Sequence, residues 1–177
     1  MKKRKCKYCK SEFLPYTTLQ KNCFDPDCVT AWINDVKTNQ WIKKKAQLKK
    51  DLMTVQDYVK IAQQVFNKYI RLRDKNNNCI SCNQKPKKEN AGHFFNANNH
   101  WSVRFDERNV HLQCEACNTY LSGNLIQYRE NLLIKLGVEE FESLSAKATK
   151  TRKFTIEELK EIIDTYKKKI KEIEVGI

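Results

Sequence analysis

The 177-residue chain is poor in glycine and proline, with only four and three of them. This composition excludes collagen-like and flexible-linker proteins. Uninterrupted apolar runs reach only three residues, as at 132–134, so no membrane-spanning segment is expected. A cysteine pair, rather than an apolar stretch, follows the basic N-terminus, so the sequence does not predict a secretory signal. We therefore expect a cytoplasmic protein.

Acidic residues are also scarce. The chain has 21 Asp and Glu against 34 Lys and Arg, a formal net charge of +13. Residues 1–50 contain 13 basic and 4 acidic residues, which gives this segment a net charge of +9. Such an excess favours a polyanion partner, most simply nucleic acid. A merely solubilising surface is the alternative, although acidic residues serve that purpose better.

The eight cysteines form four close pairs, three of them with C-x-x-C spacing. They are too few for a disulfide scaffold, and thiols in a reducing compartment stay free or bind metal. Because two pairs make one tetrahedral thiolate site, the pattern predicts two structural zinc ions rather than redox chemistry. The predicted ligands are Cys6, Cys9, Cys23 and Cys28 for one ion, and Cys79, Cys82, Cys114 and Cys117 for the other.

The spacing of apolar residues predicts an α+β protein that is mostly helical. Residues 1–50 are predicted to form an N-terminal zinc finger with a basic helix, and residues 54–177 a second domain with flanking helices. Helical periodicity begins at Thr54, near Thr119, after Gly137 and at Thr155, where a capping box is expected.

Apolar residues that alternate along the chain predict strands near its middle. Alternation through Trp101, Val103 and Phe105, and again through Val110 and Leu112, predicts two strands.

In the finger, aromatic residues are expected to pack around the metal rather than to stack on bases, because so small a core has little else. These aromatic residues are Tyr8, Phe13, Tyr16 and Phe24.

All three histidines, His93, His100 and His111, lie in the segment 83–113 between the last two cysteine pairs. A zinc ion bound by those pairs would clamp the ends of this segment and give the rigid support that a catalytic site needs. A neutral imidazole at His93 can accept a proton from water, and an amide oxygen at Asn118 suits Mg²⁺. His100 lies in an Asn-rich loop and is expected to be exposed.

The order of these motifs resembles the HNH, or ββα-metal, nucleases with a four-cysteine zinc site. The wider segments 91–93, 104–111 and 114–118, and nearly the whole chain around them, resemble the lambda NinG (Rap) phage recombination proteins. The motifs that carry the resemblance are Cys79-x2-Cys82, Gly92-His93, Asn109-x-His111 and Cys114-x2-Cys117-Asn118.

The resemblance implies a small zinc-clamped ββα-metal core and a metal-dependent endodeoxyribonuclease of the Holliday junction resolvase type. Its substrates would be branched recombination intermediates such as Holliday junctions and D-loops. His93 would be the general base, Asn118 the metal-binding residue of the helix, and Asn109 the middle asparagine that orders the hairpin loop. One catalytic Mg²⁺ or Mn²⁺ would be completed by His111, Glu107 or Asn124.

Gly92 departs from this pattern, because many ββα-metal nucleases carry an aspartate directly before the catalytic histidine. The alternative is therefore a non-catalytic double-zinc protein that binds DNA and recruits other phage recombination proteins. A zinc-stabilised protein-interaction module is a third reading, which the basic N-terminal segment disfavours. The symmetry of a four-way junction suggests a homodimer, and a phage-encoded protein would act in the host cytoplasm.

Overall fold

The structure, a computed structural model, describes residues 2–176 and contains two compact units. The first unit extends to Met53 and the second begins at Thr54. Within residues 2–176, every helix is too short or too polar to cross a membrane. Most of the secondary structure is helical, and each unit contains one small two-stranded sheet.

The N-terminal unit is a short hairpin followed by one long helix. Strands β1 (Arg4–Lys5) and β2 (Glu12–Phe13) pair antiparallel, and α1 spans Pro26–Asp51. The carboxylate of Asp25 caps α1 by accepting hydrogen bonds from two backbone N–H groups of its first turn. Cys28 lies in the first turn of α1, so the first cysteine quartet brings the start of this helix beside the hairpin.

The predicted aromatic core of this unit is wrong for two of its four members. Tyr16 and Phe24 are 81% and 72% exposed. The buried residues of the described part of the unit are only Cys6, Pro15 and Cys28. A unit of about 50 residues has little interior relative to its surface. The cysteines take most of that interior, so the larger aromatic side chains stay on the surface.

The second unit places a β-hairpin among helices. The first and last helices both begin with a capping box, at Thr54 and Thr155, as the sequence predicts for Thr155. Its elements, in chain order, are α2 (Val55–Arg73), β3 (Glu89–His93), β4 (Val110–Cys114), α3 (Leu125–Leu136), α4 (Val138–Ala148) and α5 (Ile156–Val175).

The β3–β4 hairpin is covered on both faces. Its antiparallel register pairs His93 with Val110 and Gly92 with His111. Val110 packs into a core formed with α2 and α5, whereas the ring of His111 lies beside Tyr128 of α3. Because side chains alternate along a strand, His93 shares the α2–α5 face, and Gly92 and His111 share the α3 face.

The strand predicted through Trp101, Val103 and Phe105 is absent. Trp101–Val103 form one turn of 3₁₀ helix, and the first strand of the hairpin is β3. The alternation has another cause, since the apolar residues of this segment enter two separate cores. Val103 packs with Tyr128 and the α3–α4 core, and Phe105 packs against the α2–α5 core.

Candidate functional site

Each predicted cysteine quartet is brought together in space. Within each quartet the sulfur atoms all lie within 4.8 Å of one another. The Sγ–Sγ distances of Cys9 to Cys23 and of Cys82 to Cys114 are both 3.8 Å. A tetrahedron of thiolates at about 2.3 Å from zinc has edges of about 3.8 Å. Both clusters therefore fit a structural zinc ion.

Hydrogen-bond donors also converge on these sulfur atoms. Two backbone N–H groups donate to Cys6 Sγ at 3.4 Å, and the N–H of Cys117 donates to Cys114 Sγ at 3.4 Å. The Asn124 amide donates to Cys117 Sγ at 3.6 Å. Such donors stabilise the charged thiolates that zinc requires. Asn124, a predicted candidate for the catalytic cation, therefore contacts a ligand of the second cysteine cluster instead.

The second cysteine cluster is docked onto the hairpin and onto α3. The N–H of Ile80 donates to the carbonyl of Leu112 on β4 at 2.9 Å. The amide of Asn131 on α3 donates to the carbonyls of Ile80 and Ser81, at 2.8 and 3.2 Å. Sequence reasoning missed Asn131, because its partner lies 51 residues away. The two ends of the segment between the cysteine pairs thus lie side by side, and the zinc ion that would clamp them stays a prediction.

His93 lies at the end of β3 and is partly buried, with Nε2 3.1 Å from the carbonyl oxygen of Arg104. A carbonyl oxygen only accepts, so Nε2 donates and the unprotonated nitrogen is Nδ1. Burial lowers the pKa of His93 to about 4, although the hydrogen bond to the Arg104 carbonyl opposes this shift; the positive charge of the Arg104 side chain adds to it. The imidazole is therefore neutral at pH 7, which is the form that can accept a proton.

Asn109 is fully buried and braces the loop between the two strands. Its Nδ2 donates to the carbonyls of Phe95 and Val103 at 3.0 and 3.1 Å, and its Oδ1 accepts from the N–H of Phe95 at 2.8 Å. These contacts leave no accessible polar atom for a substrate. Asn109 is thus a positioning residue that orders the loop, which is the role that the resemblance implies for it.

His111 is buried on the α3 face. Its Nδ1 lies 3.3 Å from the hydroxyl of Tyr128, which donates its own proton to the carbonyl of Gly92 at 2.9 Å. Nδ1 of His111 is therefore the donor to Tyr128. Because His93 is on the opposite face of the hairpin, the two imidazoles do not converge on one cation. The predicted cation-binding role of His111 beside His93 is thus not supported by the geometry.

Glu107, another predicted cation ligand, is occupied by other side chains. Its Oε2 accepts from the hydroxyl of Tyr69 at 2.8 Å, and its Oε1 forms an ion pair with Lys169. Arg73 lies 3.8 Å away. These contacts join α2 to α5. Within residues 2–176, the only clusters of His, Cys, Asp and Glu suited to a metal are the two cysteine quartets.

Asn118 follows Cys117 directly and is partly exposed. The helix predicted to start here is a single π-helical turn, Ala116–Tyr120, and α3 begins only at Leu125. Within the described chain, no hydrogen bond engages the Asn118 side chain. Its amide oxygen is therefore available to a ligand, and π-helical turns occur frequently at functional sites.

The position before His93 is filled by a side chain from the other strand. A Cβ atom on Gly92 would lie 1.7 Å from Oε1 of Gln113. Gln113 is fully buried, and its Nε2 donates to Ser81 Oγ at 2.6 Å and to the carbonyl of Gly123 at 2.7 Å. The amide can move aside only by breaking these bonds. Packing thus explains the glycine, because any side chain at this position requires the Gln113 amide to move.

Replacing Gly92 with alanine is expected to destabilise the second unit by about 1–3 kcal/mol, because the new methyl group overlaps the Gln113 amide. Urea denaturation measures the change. The matched control is the double variant Gly92→Ala, Gln113→Ala, compared with Gln113→Ala alone. In the Gln113→Ala background, the added methyl group should lower the free energy of unfolding by much less. An equal cost in both backgrounds would contradict the proposed clash.

Lowering the pH is expected to reduce the free energy of unfolding of the second unit. The loss begins at a higher pH than that at which the carboxylates take up protons. Burial lowers the pKa of His93 to about 4 and of His111 to about 3, from an ordinary 6.5. For His111 the charges of Lys135 and Arg73 add to this effect and Asp74 opposes it. The unfolded chain binds protons that the folded chain excludes, so stability is complete above about pH 7 and falls as the pH drops from about 6.5 toward 4.

The expected loss at pH 5 is about 2 kcal/mol for each of these histidines. Urea midpoints at pH 7.5 and pH 5 measure it. The variant His111→Asn keeps an N–H donor for Tyr128 but cannot titrate, so it should lose about half of the pH dependence. A midpoint that is unchanged between the two pH values would show that the histidines titrate normally in the folded chain.

Nearly the full length of the chain matches a known family. Residues 1–175 match the family model described as Bacteriophage Lambda NinG protein. Protein ninG of Escherichia phage 933W is 32% identical over 190 aligned residues, which cover 97% of this chain and 94% of that protein. The ninG proteins of Escherichia phage lambda and Salmonella phage P22 are each 38% identical over 117 residues, which cover 66% of this chain and 57% of theirs. No solved structure matches the chain. The chain therefore belongs to the NinG family of bacteriophage proteins.

Proposed function

We propose that this chain is a metal-dependent endodeoxyribonuclease that cuts branched recombination intermediates such as Holliday junctions and D-loops. The observation that carries the proposal is the geometry of His93, whose ring is oriented by the Arg104 carbonyl on a hairpin that contacts the second cysteine cluster, and burial keeps its pKa below the ordinary value. A neutral, oriented imidazole is the group needed to activate water for attack on a phosphodiester. The chain belongs to the NinG family of bacteriophage proteins, the family whose resemblance implies this class of substrate.

In this proposal, Nδ1 of His93 takes a proton from the attacking water, while the hydrogen bond from Nε2 to Arg104 fixes the ring. Asn109 keeps the intervening loop in place through its three backbone contacts. The zinc ions are structural, since four thiolates leave no open coordination position. A divalent cation would neutralise charge on the phosphate and on the leaving 3′-oxygen.

Of the predicted cation ligands, Asn118 is the one whose side chain makes no hydrogen bond within residues 2–176. A single amide oxygen is a sparse site, but Mg²⁺ commonly keeps several water ligands and binds substrate phosphates. Asn118 is therefore the remaining candidate for the protein ligand of the cation, and the hairpin register places His93 four residue pairs away from Cys114, which precedes the turn that carries Asn118. The positive charge of residues 1–50 would hold the DNA backbone, so affinity should fall steeply with salt.

The test is incubation of the purified chain with end-labelled four-way, three-strand and linear duplex DNA, with and without Mg²⁺ or Mn²⁺. We expect cation-dependent nicking of the branched substrates and little cutting of the linear duplex. Binding is measured on the same substrates at several salt concentrations. If no substrate is cut under any cation although the branched DNA is bound, the nuclease proposal fails.

A second candidate function is that of a non-catalytic double-zinc protein that binds branched DNA and recruits other recombination proteins. It is favoured by the Gln113 amide, which occupies the place of a carboxylate before His93. The same experiment separates the two candidates, because the accessory protein would bind branched DNA in a salt-dependent manner without cutting it.

A further inference from the structure

The N-terminal unit contains a cavity that the proposed nuclease chemistry does not use. It has a volume of about 610 Å³ and is lined by residues of the loop 16–24 and of the first half of α1. We call it the aromatic cavity, because four aromatic side chains line it. These side chains are Tyr8, Tyr16, Phe24 and Trp32.

The apolar and aromatic side chains at the outer wall of the aromatic cavity are unusually exposed to solvent. In addition to Tyr16 and Phe24, Leu19 is 84% exposed and Trp32 is 48% exposed. Neighbouring exposed apolar side chains on one small unit mark a surface that binds a partner or ligand. These exposed side chains therefore indicate a binding surface.

The loop that carries this wall is held in one conformation by hydrogen bonds. The Gln20 side chain accepts from the N–H of Tyr16 at 2.7 Å and donates to the carbonyl of Asn22 at 2.8 Å. Arg4 donates to the carbonyl of Thr18 at 2.6 Å. The aromatic rings are thus presented on an ordered loop, which reduces the entropy lost when a ligand binds.

The charge around the aromatic cavity favours an anionic ligand. Its one acidic residue, Asp35, is neutralised by Lys7 at 2.6 Å and accepts a hydrogen bond from the hydroxyl of Tyr8 at 2.8 Å. Lys21 is exposed at the rim, and residues 1–50 carry a net charge of +9. A ligand that combines flat apolar rings with negative charge matches both properties, and single-stranded nucleic acid has this chemistry.

We propose that the aromatic cavity binds an unpaired DNA base, stacked against Tyr16 and Phe24, with the adjacent phosphates near Lys21. Bases in a duplex already stack on their neighbours, so only an unpaired base offers a free face. Single-stranded segments occur at D-loops and at opened branch points. The inference rests on the proposed function in one respect, namely that DNA is the substrate, and it does not depend on cleavage.

The test compares two labelled single strands of equal length and phosphate number, oligo(dT) and an abasic oligomer, in fluorescence anisotropy with the full chain. We expect the chain to bind oligo(dT) at least tenfold more tightly than the abasic strand. The variant Tyr16→Ala, Phe24→Ala should lose roughly five- to hundredfold in affinity for oligo(dT) and little for the abasic strand, with an unchanged salt dependence.

The matched control is Trp41→Ala, which removes an exposed aromatic residue of α1 that does not line the cavity. It should retain the preference for bases. Zinc content and far-UV circular dichroism establish that each variant is folded. As an independent measurement, Trp32 emission in a Trp41→Phe, Trp101→Phe background should be quenched by oligo(dT) and not by the abasic strand.

Any of three results would overturn the inference: equal affinity for the two strands, an equal loss of affinity in the Trp41→Ala variant, or unquenched Trp32 emission. The ligand of the cavity would then be an apolar protein segment. Failure of the proposed nuclease function has a different result, since branched DNA would remain uncut. A chain that prefers bases but cuts nothing would retain this inference and lose the nuclease proposal.

Discussion

Replacing Cys117 with serine is expected to lower bound zinc from two ions to about one per chain and to unfold much of the second unit. Cys117 is buried, and its cluster joins the cysteine turn to β4 and to the start of the α3 segment. Structural zinc in small sites contributes on the order of 10–16 kcal/mol. A whole domain is stable by only about 5–15 kcal/mol. Loss of the ion should therefore exceed the stability of the unit.

Zinc content by elemental analysis and thermal unfolding by circular dichroism measure this effect. The matched control is Cys9→Ser, which disrupts the N-terminal cluster. It should also leave about one ion per chain, but the unfolding transition of the second unit should remain. A Cys117→Ser variant that keeps two zinc ions and melts like the wild type would show that the second quartet does not hold a structural metal.

Replacing His93 with alanine is expected to reduce cation-dependent cleavage of branched DNA at least a hundredfold, while affinity changes by less than about twofold. General base catalysis contributes factors of about 10²–10⁴. His93 is only partly exposed, so it adds little to the surface that holds DNA. Because its pKa is about 4, wild-type cleavage should keep its rate down to about pH 5 as far as this group is concerned.

Single-turnover cleavage and anisotropy binding with a four-way junction provide the measurement. His100→Ala is the matched control, because His100 lies in the same segment and its Nδ1 contacts the carbonyl of Ala148 at 3.0 Å; it is half-buried rather than exposed as predicted. It should cut normally. A His93→Ala variant that is folded and cuts like the wild type would remove His93 from the mechanism.

Those features that depend on local chemistry could be predicted from the sequence. The two cysteine quartets follow from pair spacing, and the capping box at Thr155 from the residues of the first helical turn. The resemblance likewise identified the family correctly, because its motifs are defined by spacing along the chain. The assigned roles of His93 and Asn118 remain predictions.

Features that depend on contacts between distant segments could not be predicted. The clash between Gly92 and Gln113 depends on the register of the hairpin, and the contact of Asn131 with the cysteine turn depends on how α3 docks. Alternation near Trp101 predicts a strand, although the residues of this segment enter two different cores. The exposure of Phe24 does not follow from the sequence, because a pattern of aromatic residues does not indicate how little interior a small unit has.

The position of the Gln113 amide has a consequence for how relatives of this chain can vary. A carboxylate directly before the histidine of β3 and a glutamine at position 113 are sterically incompatible in this register. The two positions should therefore change together among relatives, with a side chain at the first accompanied by a shorter residue at the second. A phage lineage could gain or lose a metal-binding aspartate here only through a paired exchange.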